Sequence, residues 1–398
     1  METTAALEGL ACTECDAHHD PAAVPGRCPD CGGPLVATYD VDAQAGETDR
    51  ESLADSRFDG VARYGDLLPF ELDAATSMNE GTTPLVACPG LADELGVAEV
   101  YVKDEGANPT GTTVDRQAAV AVAAAREQGA ETVAHPTTGD SGQSVAAYAA
   151  RADMDAHVWL AERAGYTQKA MVEIHGGELH VVEGEITDAG AGYAERMEQE
   201  DWYSTKTFVT PYRHETKKTM LYETVEQLDW EVPDHVVYPT GGGVGLVGMH
   251  KAATELRDLG LTDDLPAMYA AQSEGCAPVV RAFEEGRDVH EPWDTPDTIC
   301  GGIEIPDPGA SPLILDALRE SDGGAVATSD DDILDAGTLV AKHEGVEMGA
   351  TCAAAASGAW QLAEDGEFGA DDTVVLLNTG TANKDADVLR SHLMSKGI

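Results

Sequence analysis

The sequence predicts an α/β protein built on mostly parallel sheets, and two observations lead to this fold class. Short apolar segments alternate with helical segments over most of the 398 residues. Several short segments, such as "DTVVLLNTG" at 372–380, are apolar almost throughout, which is typical of strands covered by helices on both faces. The chain is long enough for two such units with a sizeable core.

The alternation can be followed in order along the chain. Composition and periodicity predict strands over 98–105, 131–135, 155–161, 178–184, 235–240, 267–273 and 372–380. Helices are predicted over 114–130, 144–153, 167–177, 188–200, 220–228 and 245–260, with Gly129 placed to end the first one. Because ligands of open parallel sheets lie at the carboxyl ends of the strands, the turns after these strands are the candidate sites.

The first 45 residues carry two Cys-x-x-Cys pairs, separated by twelve residues. Two such pairs can supply four thiolates to one tetrahedral zinc ion. We therefore expect a structural zinc ribbon over 1–45, with the ligands Cys12, Cys15, Cys28 and Cys31. A ribbon that binds no metal, or a redox pair, is the alternative. His18 and His19 lie between the pairs and are not needed in a set of four thiolates, and the polar stretch 40–76 is interpreted as a linker and surface segment.

The charge balance is strongly acidic, with 73 Asp and Glu against 24 Lys and Arg and a formal net charge of -49. The acidic residues are spread over the whole length, which favours a solvated surface suited to high salt, as in a halophile, over an acidic interaction tail. Proteins bind nucleic-acid phosphates through Lys and Arg. Because acidic residues far outnumber Lys and Arg in this chain, a nucleic-acid partner is not expected.

The chain shows no sign of export or membrane insertion. Its N-terminus "METTAALEGLACTEC" has neither a basic start nor an apolar run, so we expect no signal peptide. An apolar span of 18 residues is also missing from the sequence, so no membrane helix is expected. The other four cysteines are scattered, which favours a reducing cytoplasm.

Two of the predicted strands run into turns that suit an anion. "TGDSGQS" (138–144) precedes a helix, whose N-terminal N–H groups suit a carboxylate; an ordinary capped turn is the more frequent explanation. "PTGGGVG" (239–245) exposes backbone amides that can cradle a phosphate. It lacks both the Lys-Ser/Thr ending of a nucleotide P-loop and the Gly-x-Gly-x-x-Gly spacing, so a single phosphate is favoured; the alternative is a tight turn that is merely rich in glycine.

A third turn, "LLNTGTANKD" (376–385), follows the last predicted strand. Its Thr379 or Thr381 hydroxyl could reach a ring nitrogen of a ligand. A capped turn explains the same residues.

Taken together, these segments resemble the threonine synthase-like members of the fold-type II pyridoxal-phosphate enzymes, in the tryptophan synthase beta-like superfamily. The likeness covers nearly the whole chain. It rests on the N-terminal "CPDCGGPLVATYD", "GTTPLV" (81–86), "YVKDEGANPTGTTVDR", "TTGDSGQS", "PYRHETKKTMLYE", "PTGGGVGLVGMHKA", "QSEGCAPVVRAF", "SDDDILDA" and "NTGTANKD".

The resemblance implies an organisation and a set of site residues. It implies two doubly wound, mostly parallel-sheet domains with the site between them, over 46–205 and 206–398, after the zinc ribbon of 1–45. Cofactor-phosphate binding would fall to Gly241, Gly242, Gly243, Val244 and Gly245, with Thr379 near the pyridine nitrogen. The ring hydroxyl and the substrate carboxylate would be held by Thr138, Gly139, Asp140, Ser141 and Gly142.

The sequence departs from the family pattern at the residues that carry the chemistry. The family's Schiff-base lysine falls on Val114, and the aromatic residue before it falls on Thr113. The asparagine that meets the ring hydroxyl falls on Asp140, and Lys103 resembles a family lysine that does not form the Schiff base. Valine cannot form an imine or move a proton, and losing a positioned acid/base alone costs about 10²–10⁴ in rate.

Three functions are consistent with this sequence. The first is a threonine synthase-like lyase, whose family reaction converts O-phospho-L-homoserine to L-threonine, using a base or a lysine from elsewhere in the chain. The second is a non-catalytic protein that binds pyridoxal phosphate non-covalently, or a phosphorylated amino acid. The third is a structural subunit of an active paralogue, since the resemblance implies a homodimer or a dimer with a paralogue.

Overall fold

The computed structural model describes residues 3–23, 26–56, 59–73, 75–162, 164–184 and 186–397, without the side chains of 46 and 47. The residues outside this description include 57, 58 and 74 of the expected linker. They also include residues 1 and 398, where the first and last expected domains begin and end. The chain divides into two compact units, which are treated one at a time. The first comprises Met1–Thr82, Asn108–Met220 and Asp258–Leu261, and the second Thr83–Ala107, Leu221–Arg257 and Thr262–Ile398.

Strands and helices alternate over most of the described residues, as the sequence predicts. The strands are Leu7–Cys12 (β1), His18–His19 (β2), Leu35–Tyr39 (β3), Leu85–Ala87 (β4), Glu99–Asp104 (β5), Thr132–Thr137 (β6), Asp155–Ala161 (β7), Glu178–Val182 (β8), Tyr203–Ser204 (β9), His235–Pro239 (β10), Ala267–Ser273 (β11), Gly324–Thr328 (β12) and Thr373–Asn378 (β13). The helices are Val41–Glu47 (α1), Arg50–Ala54 (α2), Pro89–Leu95 (α3), Val114–Glu127 (α4), Asp140–Arg151 (α5), Tyr166–Ile174 (α6), Ile186–Met197 (α7), Arg213–Gln227 (α8), Val244–Asp258 (α9), Pro278–Glu284 (α10), Ser311–Glu320 (α11), Asp330–Glu344 (α12), Ala353–Glu364 (α13) and Ala386–Ser395 (α14).

The first unit contains two sheets. A small antiparallel sheet of the N-terminal segment has the order β2-β1-β3, and a parallel sheet has the order β8-β7-β6-β9. Helix α4 forms because its sequence is rich in alanine, the strongest helix former, and every residue of 115–125 is buried. The helix ends at Glu127, and Gly129 follows the capping residue Gln128 with φ +77°, as the sequence predicts.

The second unit is built on one sheet with the order β12-β11-β10-β13-β5-β4. All its neighbouring strands are parallel except β4, which pairs antiparallel with β5 at the edge. All five residues of β10 are buried, as are the last five of β13, and this explains their continuous apolar runs. The predicted α/β class with parallel sheets is confirmed. Among the described helices, none has the length and apolar character needed to cross a membrane.

Of the predicted helices, α8 is the one whose start differs most from the prediction. The prediction began at Met220, whereas α8 begins at Arg213. The early part of α8 carries charged side chains, among them Glu215, Lys217 and Lys218, and these are fully buried. A charged stretch is normally exposed, so its composition did not indicate a core helix.

Candidate functional site

In the second unit, the glycine-rich turn lies at the carboxyl end of a central strand. β10 ends at Pro239, and α9 begins at Val244. Between them, the Thr240 amide donates to the Ala271 carbonyl at 2.7 Å, and the Thr240 carbonyl accepts from the Gln272 side chain at 2.9 Å. The first N–H groups of a helix have no partner within the helix. The turn therefore presents amides and the positive end of a helix dipole to an anion.

Three of the four glycines of this turn are required by the backbone or its neighbours. A Cβ on Gly241 would come within 3.0 Å of neighbouring backbone atoms, and Gly243 has φ +73°. A Cβ on Gly243 would overlap the Ile314 side chain, and one on Gly245 would overlap the ring of Tyr238. Residues 241–243 therefore form a stretch of backbone without side chains directly before helix α9. Such a cradle fits a phosphate group.

Thr379 lies at the same edge of the same sheet. β10 and β13 are parallel neighbours, with Val237 opposite Leu376, and Thr240 and Thr379 each directly follow the carboxyl end of their strand. Neighbouring strands are about 4.8 Å apart. The Thr379 hydroxyl also lies 3.4 Å from the Cys352 sulfur. The structure thus brings Thr379 together with the turn that holds Gly241, Gly242, Gly243, Val244 and Gly245.

Lys103 lies in the same sheet but is committed to an ion pair. Its Nζ lies 2.9 Å from a carboxylate oxygen of Glu223, and both side chains are buried. It also donates to the Thr83 carbonyl at 2.8 Å and to the Gln227 side chain at 2.9 Å. A buried ammonium is stable only when it is paired and hydrogen-bonded, so this lysine has a structural role.

In the first unit, Val114 is the first residue of α4 and is half-buried. The loop before it is held by the Asp115 carboxylate, which accepts from the amide and the hydroxyl of Thr110, each at 2.6 Å. Asp115 also accepts from the Ser144 hydroxyl of α5, at 2.5 Å. The start of α4 is therefore fixed beside α5. The isopropyl group of Val114 neither donates nor accepts a hydrogen bond.

The turn of Thr138 and Gly139 joins β6 to α5, and Asp140, Ser141 and Gly142 form the first turn of that helix. Through the bond of Asp115 to Ser144, the structure brings this turn and Val114 to one end of the first unit.

Close packing explains why position 142 is a glycine. A Cβ there would come within 2.7 Å of the Val158 side chain and 2.8 Å of the Thr137 side chain. This glycine is explained without a ligand.

Asp140 has a structural explanation of its own. A carboxylate at the first position of a helix is stabilised by the helix dipole, typically by 0.3–1 kcal/mol, so roughly 0.5 kcal/mol here. The same carboxylate adds negative charge where an anion would otherwise bind. The turn at Thr138–Gly142 is therefore a weaker anion site than the turn at Gly241–Gly245.

One residue that the sequence did not single out lies beside Val114. Lys217 of α8 is fully buried, and its Nζ donates to the Thr113 carbonyl at 2.6 Å and to the Thr113 hydroxyl. Thr113 directly precedes Val114 and contacts the Met220 sulfur at 3.1 Å. The contact between Lys217 and Thr113 joins residues 104 positions apart, and the sequence contains no signal for it.

The four cysteines of the N-terminal sheet form one cluster. The sulfur atoms of Cys12, Cys15, Cys28 and Cys31 all lie within 4.8 Å of one another. Cys12 and Cys31 are 3.4 Å apart, and Cys15 and Cys28 are 3.8 Å apart. Ligands of a tetrahedral zinc with Zn–S bonds of about 2.3 Å are separated by about 3.8 Å, so the cluster fits zinc. His19, which is not in the predicted ligand set, has its Nε2 atom 3.3 Å from the Cys28 sulfur.

Comparison with known proteins gives relatives over most of the chain. The family described as "Pyridoxal-phosphate dependent enzyme" matches residues 76–380. The threonine synthase of Methanosarcina acetivorans is 36% identical over 377 residues, which is 94% of this chain and 92% of that protein. The threonine synthase of Methanocaldococcus jannaschii is 34% identical over 378 residues, which is 94% of this chain and 93% of that protein.

Solved structures share the fold. The processed form of threonine deaminase isoform 2 from Solanum lycopersicum superposes with a TM-score of 0.68 at 21% identity, over 79% of this chain and 88% of that one. An O-ureido-L-serine-bound variant of O-ureido-L-serine synthase superposes with a TM-score of 0.67 at 21% identity, over 80% of this chain and 94% of that one. At these identities the likeness concerns the fold alone.

Proposed function

Because this chain belongs to the pyridoxal-phosphate dependent enzyme family, we propose that it binds pyridoxal phosphate and acts on an O-phosphorylated amino acid of the phosphohomoserine type. The turn at Gly241–Gly245 carries the proposal, since it is a backbone cradle for a phosphate at the start of α9. The two threonine synthases that match nearly the whole chain support this substrate class. Their family reaction converts O-phospho-L-homoserine to L-threonine.

The residues of each unit have separate tasks in this proposal. When bound, pyridoxal phosphate supplies an aldehyde and an electron sink. The amides of Gly241–Gly245 would hold its phosphate, and the Thr379 hydroxyl would meet its ring nitrogen. The N–H groups at Thr138–Gly142 orient a carboxylate, against the charge of Asp140.

A second candidate function is favoured by Val114 and Asp140. In it, the protein holds pyridoxal phosphate or a phosphorylated amino acid without turning it over. Val114 cannot act as a nucleophile or proton carrier, and Asp140 would repel an ionised ring hydroxyl but can accept from a protonated one. A protonated ring hydroxyl is expected when pyridoxal phosphate is bound as a free aldehyde rather than as a protonated imine.

One experiment separates the two candidates. The full chain is loaded with pyridoxal phosphate, freed of excess cofactor by gel filtration, and incubated with O-phospho-L-homoserine. Threonine is then measured by mass spectrometry and phosphate by colorimetry. Retained cofactor with threonine and phosphate in equal amounts supports the first function, and retained cofactor without product supports the second. A chain that retains no cofactor contradicts the first function and the cofactor-binding form of the second.

We also propose two properties that do not depend on catalysis. The cysteine cluster holds a structural zinc ion, which the sulfur separations support. The acidic surface is an adaptation to high salt, supported by the net charge of -49 spread along the chain, because salt screens repulsion among surface charges.

A further inference from the structure

Two histidines and a carboxylate lie together on the parallel sheet of the first unit. His157 of β7 is paired with Glu178 of β8, and Trp159 of β7 is paired with His180 of β8. Residues that are paired across two strands, or that are two apart along one strand, point to the same face of a sheet. The register of β7 and β8 therefore puts His157, Glu178 and His180 on one face.

This cluster is separate from the turn that was considered for a carboxylate in the same unit. His157 and Glu178 lie toward the amino ends of β7 and β8, whereas the turn at Thr138–Gly142 follows the carboxyl end of β6. Because β6, β7 and β8 run parallel, these ends lie at opposite edges of the sheet. The proposed function therefore makes no use of the cluster.

The distances within the cluster are those of a metal site. Nδ1 of His157 and Nε2 of His180 are 3.0 Å apart. Carboxylate oxygens of Glu178 lie 3.8 Å from the first nitrogen and 3.6 Å from the second. Two ligands with metal–nitrogen bonds of about 2.0–2.1 Å are separated by roughly 3.0–3.4 Å. The two nitrogens already meet this separation, and the Glu178 side chain, which is 67% exposed, can rotate to meet it.

An indole ring holds each imidazole in place. Trp202 stacks on His157 with 4.0 Å between the ring centres and 13° between the planes. Trp159 stacks on His180 with 4.2 Å and 16°. The two imidazole planes differ by only 19°, so the facing nitrogens meet edge to edge. Rings that are already fixed lose little side-chain freedom when they bind an ion, which is what a preorganised site requires.

A hydrogen bond between the two histidines explains only part of this arrangement. In such a bond, one imidazole nitrogen donates a proton and the other accepts it. The carboxylate of Glu178 faces both nitrogens at 3.6 and 3.8 Å, which is too far to accept a hydrogen bond from either ring. An ion between the three groups would contact all of them.

The chemistry of the three groups selects a class of metal ion. Imidazole nitrogens suit zinc, nickel, copper and iron, whereas magnesium and calcium take oxygen ligands. Two histidines and one carboxylate leave at least one coordination position for water. Arg196 lies 5.4 Å from the centre of the Trp202 ring, but it is paired with Glu200 at 3.1 Å, so its charge is offset.

We propose that His157, Glu178 and His180 bind a divalent transition-metal ion of the zinc and nickel class, at a site distinct from the cysteine cluster. The ion takes the place of the proton that the two imidazoles share. Because β8 lies at the end of the strand order β8-β7-β6-β9, the ion ties an edge strand to its neighbour. An ion that binds only the folded chain also stabilises it.

The test is a titration with Ni²⁺. The full chain, without a histidine tag, receives one equivalent of zinc for the cysteine cluster, because thiolates favour zinc. Ni²⁺ is then titrated by calorimetry, and tryptophan emission is followed in parallel, since Trp159 and Trp202 contact the two imidazoles. We expect one Ni²⁺ per chain and partial quenching of the emission.

Two histidine variants show where the ion binds. His180→Gln should weaken Ni²⁺ binding by about 100-fold or more, because losing a direct ligand costs more than losing a group that only orients one. His343→Gln is the control, because His343 is an exposed histidine of the second unit. It should bind Ni²⁺ as the wild type does.

Glu178→Gln guards against a loss that is due only to misfolding, because it changes an exposed side chain. It should weaken Ni²⁺ binding by about tenfold or more. Weaker binding in both His180→Gln and Glu178→Gln supports the site. A wild-type chain that binds no Ni²⁺, or unchanged binding in either variant, overturns it. If His180→Gln does not fold, Glu178→Gln decides.

Discussion

The Nε2 atom of His135 lies 2.8 Å from the hydroxyl oxygen of Ser141. The other ring nitrogen, Nδ1, faces the Thr205 carbonyl at 3.2 Å. A carbonyl only accepts, and the Thr205 hydroxyl, 3.1 Å from Nδ1, donates to the Ala134 carbonyl. We therefore assign the proton to Nδ1, so that Nε2 accepts from Ser141. The series of hydrogen bonds continues from the Ser141 hydroxyl to the Thr137 hydroxyl, 2.6 Å away. The Thr137 hydroxyl in turn accepts from the Gly139 amide at 2.9 Å. A neutral imidazole therefore holds the turn at Thr138–Gly142 in place.

This arrangement predicts an acid sensitivity that can be assigned to His135. Burial lowers the pKa of His135 well below its usual value of 6.5, and the charge of Arg213 lowers it further. As the pH falls below the usual value of 6.5, His135 takes up a proton in the unfolded chain but stays neutral in the folded chain. The free energy of unfolding should therefore fall as the pH falls, by about 1.4 kcal/mol per pH unit from this one group. Urea unfolding of the wild type and of His135→Gln, between about pH 7 and about pH 5.5, measures the difference. Equal pH dependence in both proteins would contradict this assignment.

A second prediction concerns the phosphate cradle. Gly243→Ala adds a methyl group that overlaps the Ile314 side chain, at a residue with φ +73°. Gly286 is the matched control, because it has φ +66° in the same unit and nothing within 4 Å of an added Cβ. Because each alanine must adopt a left-handed backbone conformation, both changes should lower the free energy of unfolding by about 1–2 kcal/mol. Only Gly243→Ala should weaken pyridoxal-phosphate binding, by about tenfold or more, which corresponds to about 1.4 kcal/mol of binding free energy.

Titration of the cofactor by absorbance, alongside urea unfolding, separates the two effects. The cradle would lose its support if Gly286→Ala weakened binding as much as Gly243→Ala does.

A third prediction concerns the cysteine cluster. Cys31→Ser removes one of four thiolates, and we expect zinc in the purified protein to drop from stoichiometric to trace amounts, because a structural zinc site needs all four ligands. Cys88→Ala is the control, since Cys88 is a free cysteine of the second unit, far along the chain from the cluster. Elemental analysis after gel filtration gives the zinc content. A wild-type chain without zinc, or equal zinc in both variants, would falsify the zinc ribbon.

Much of the fold could be predicted because the sheets are parallel and covered on both faces. The predicted strand 155–161 coincides with β7, and helix 114–130 coincides with α4 to within three residues. Strand order could not be predicted, because the apolar runs of β10, β11 and β13 are interchangeable in composition. The antiparallel edge strand β4 has three residues, which is too few for a periodic pattern.

The candidate site divides in the same way. The turn at Gly241–Gly245 could be predicted because a glycine run between a strand and a helix is a local signal. The contact between Lys217 and Thr113 could not, because it joins separate segments of the chain. A lysine in a charged stretch looks exposed in the sequence, and only the packing of α8 shows that it is buried.

The last prediction concerns the ion pair of Lys103 and Glu223, which excludes Lys103 from the chemistry. Glu223→Gln would leave the Lys103 ammonium buried without its carboxylate, and such a loss typically costs about 3–5 kcal/mol. Asp288→Asn is the control, because Asp288 pairs with Arg319 at the surface with 93% of its side chain exposed, and surface pairs contribute about 0–1 kcal/mol. Urea unfolding measures both changes. A loss in Glu223→Gln no larger than that in Asp288→Asn would show that Lys103 does not depend on this carboxylate, and would return Lys103 to the candidates for a reactive amine.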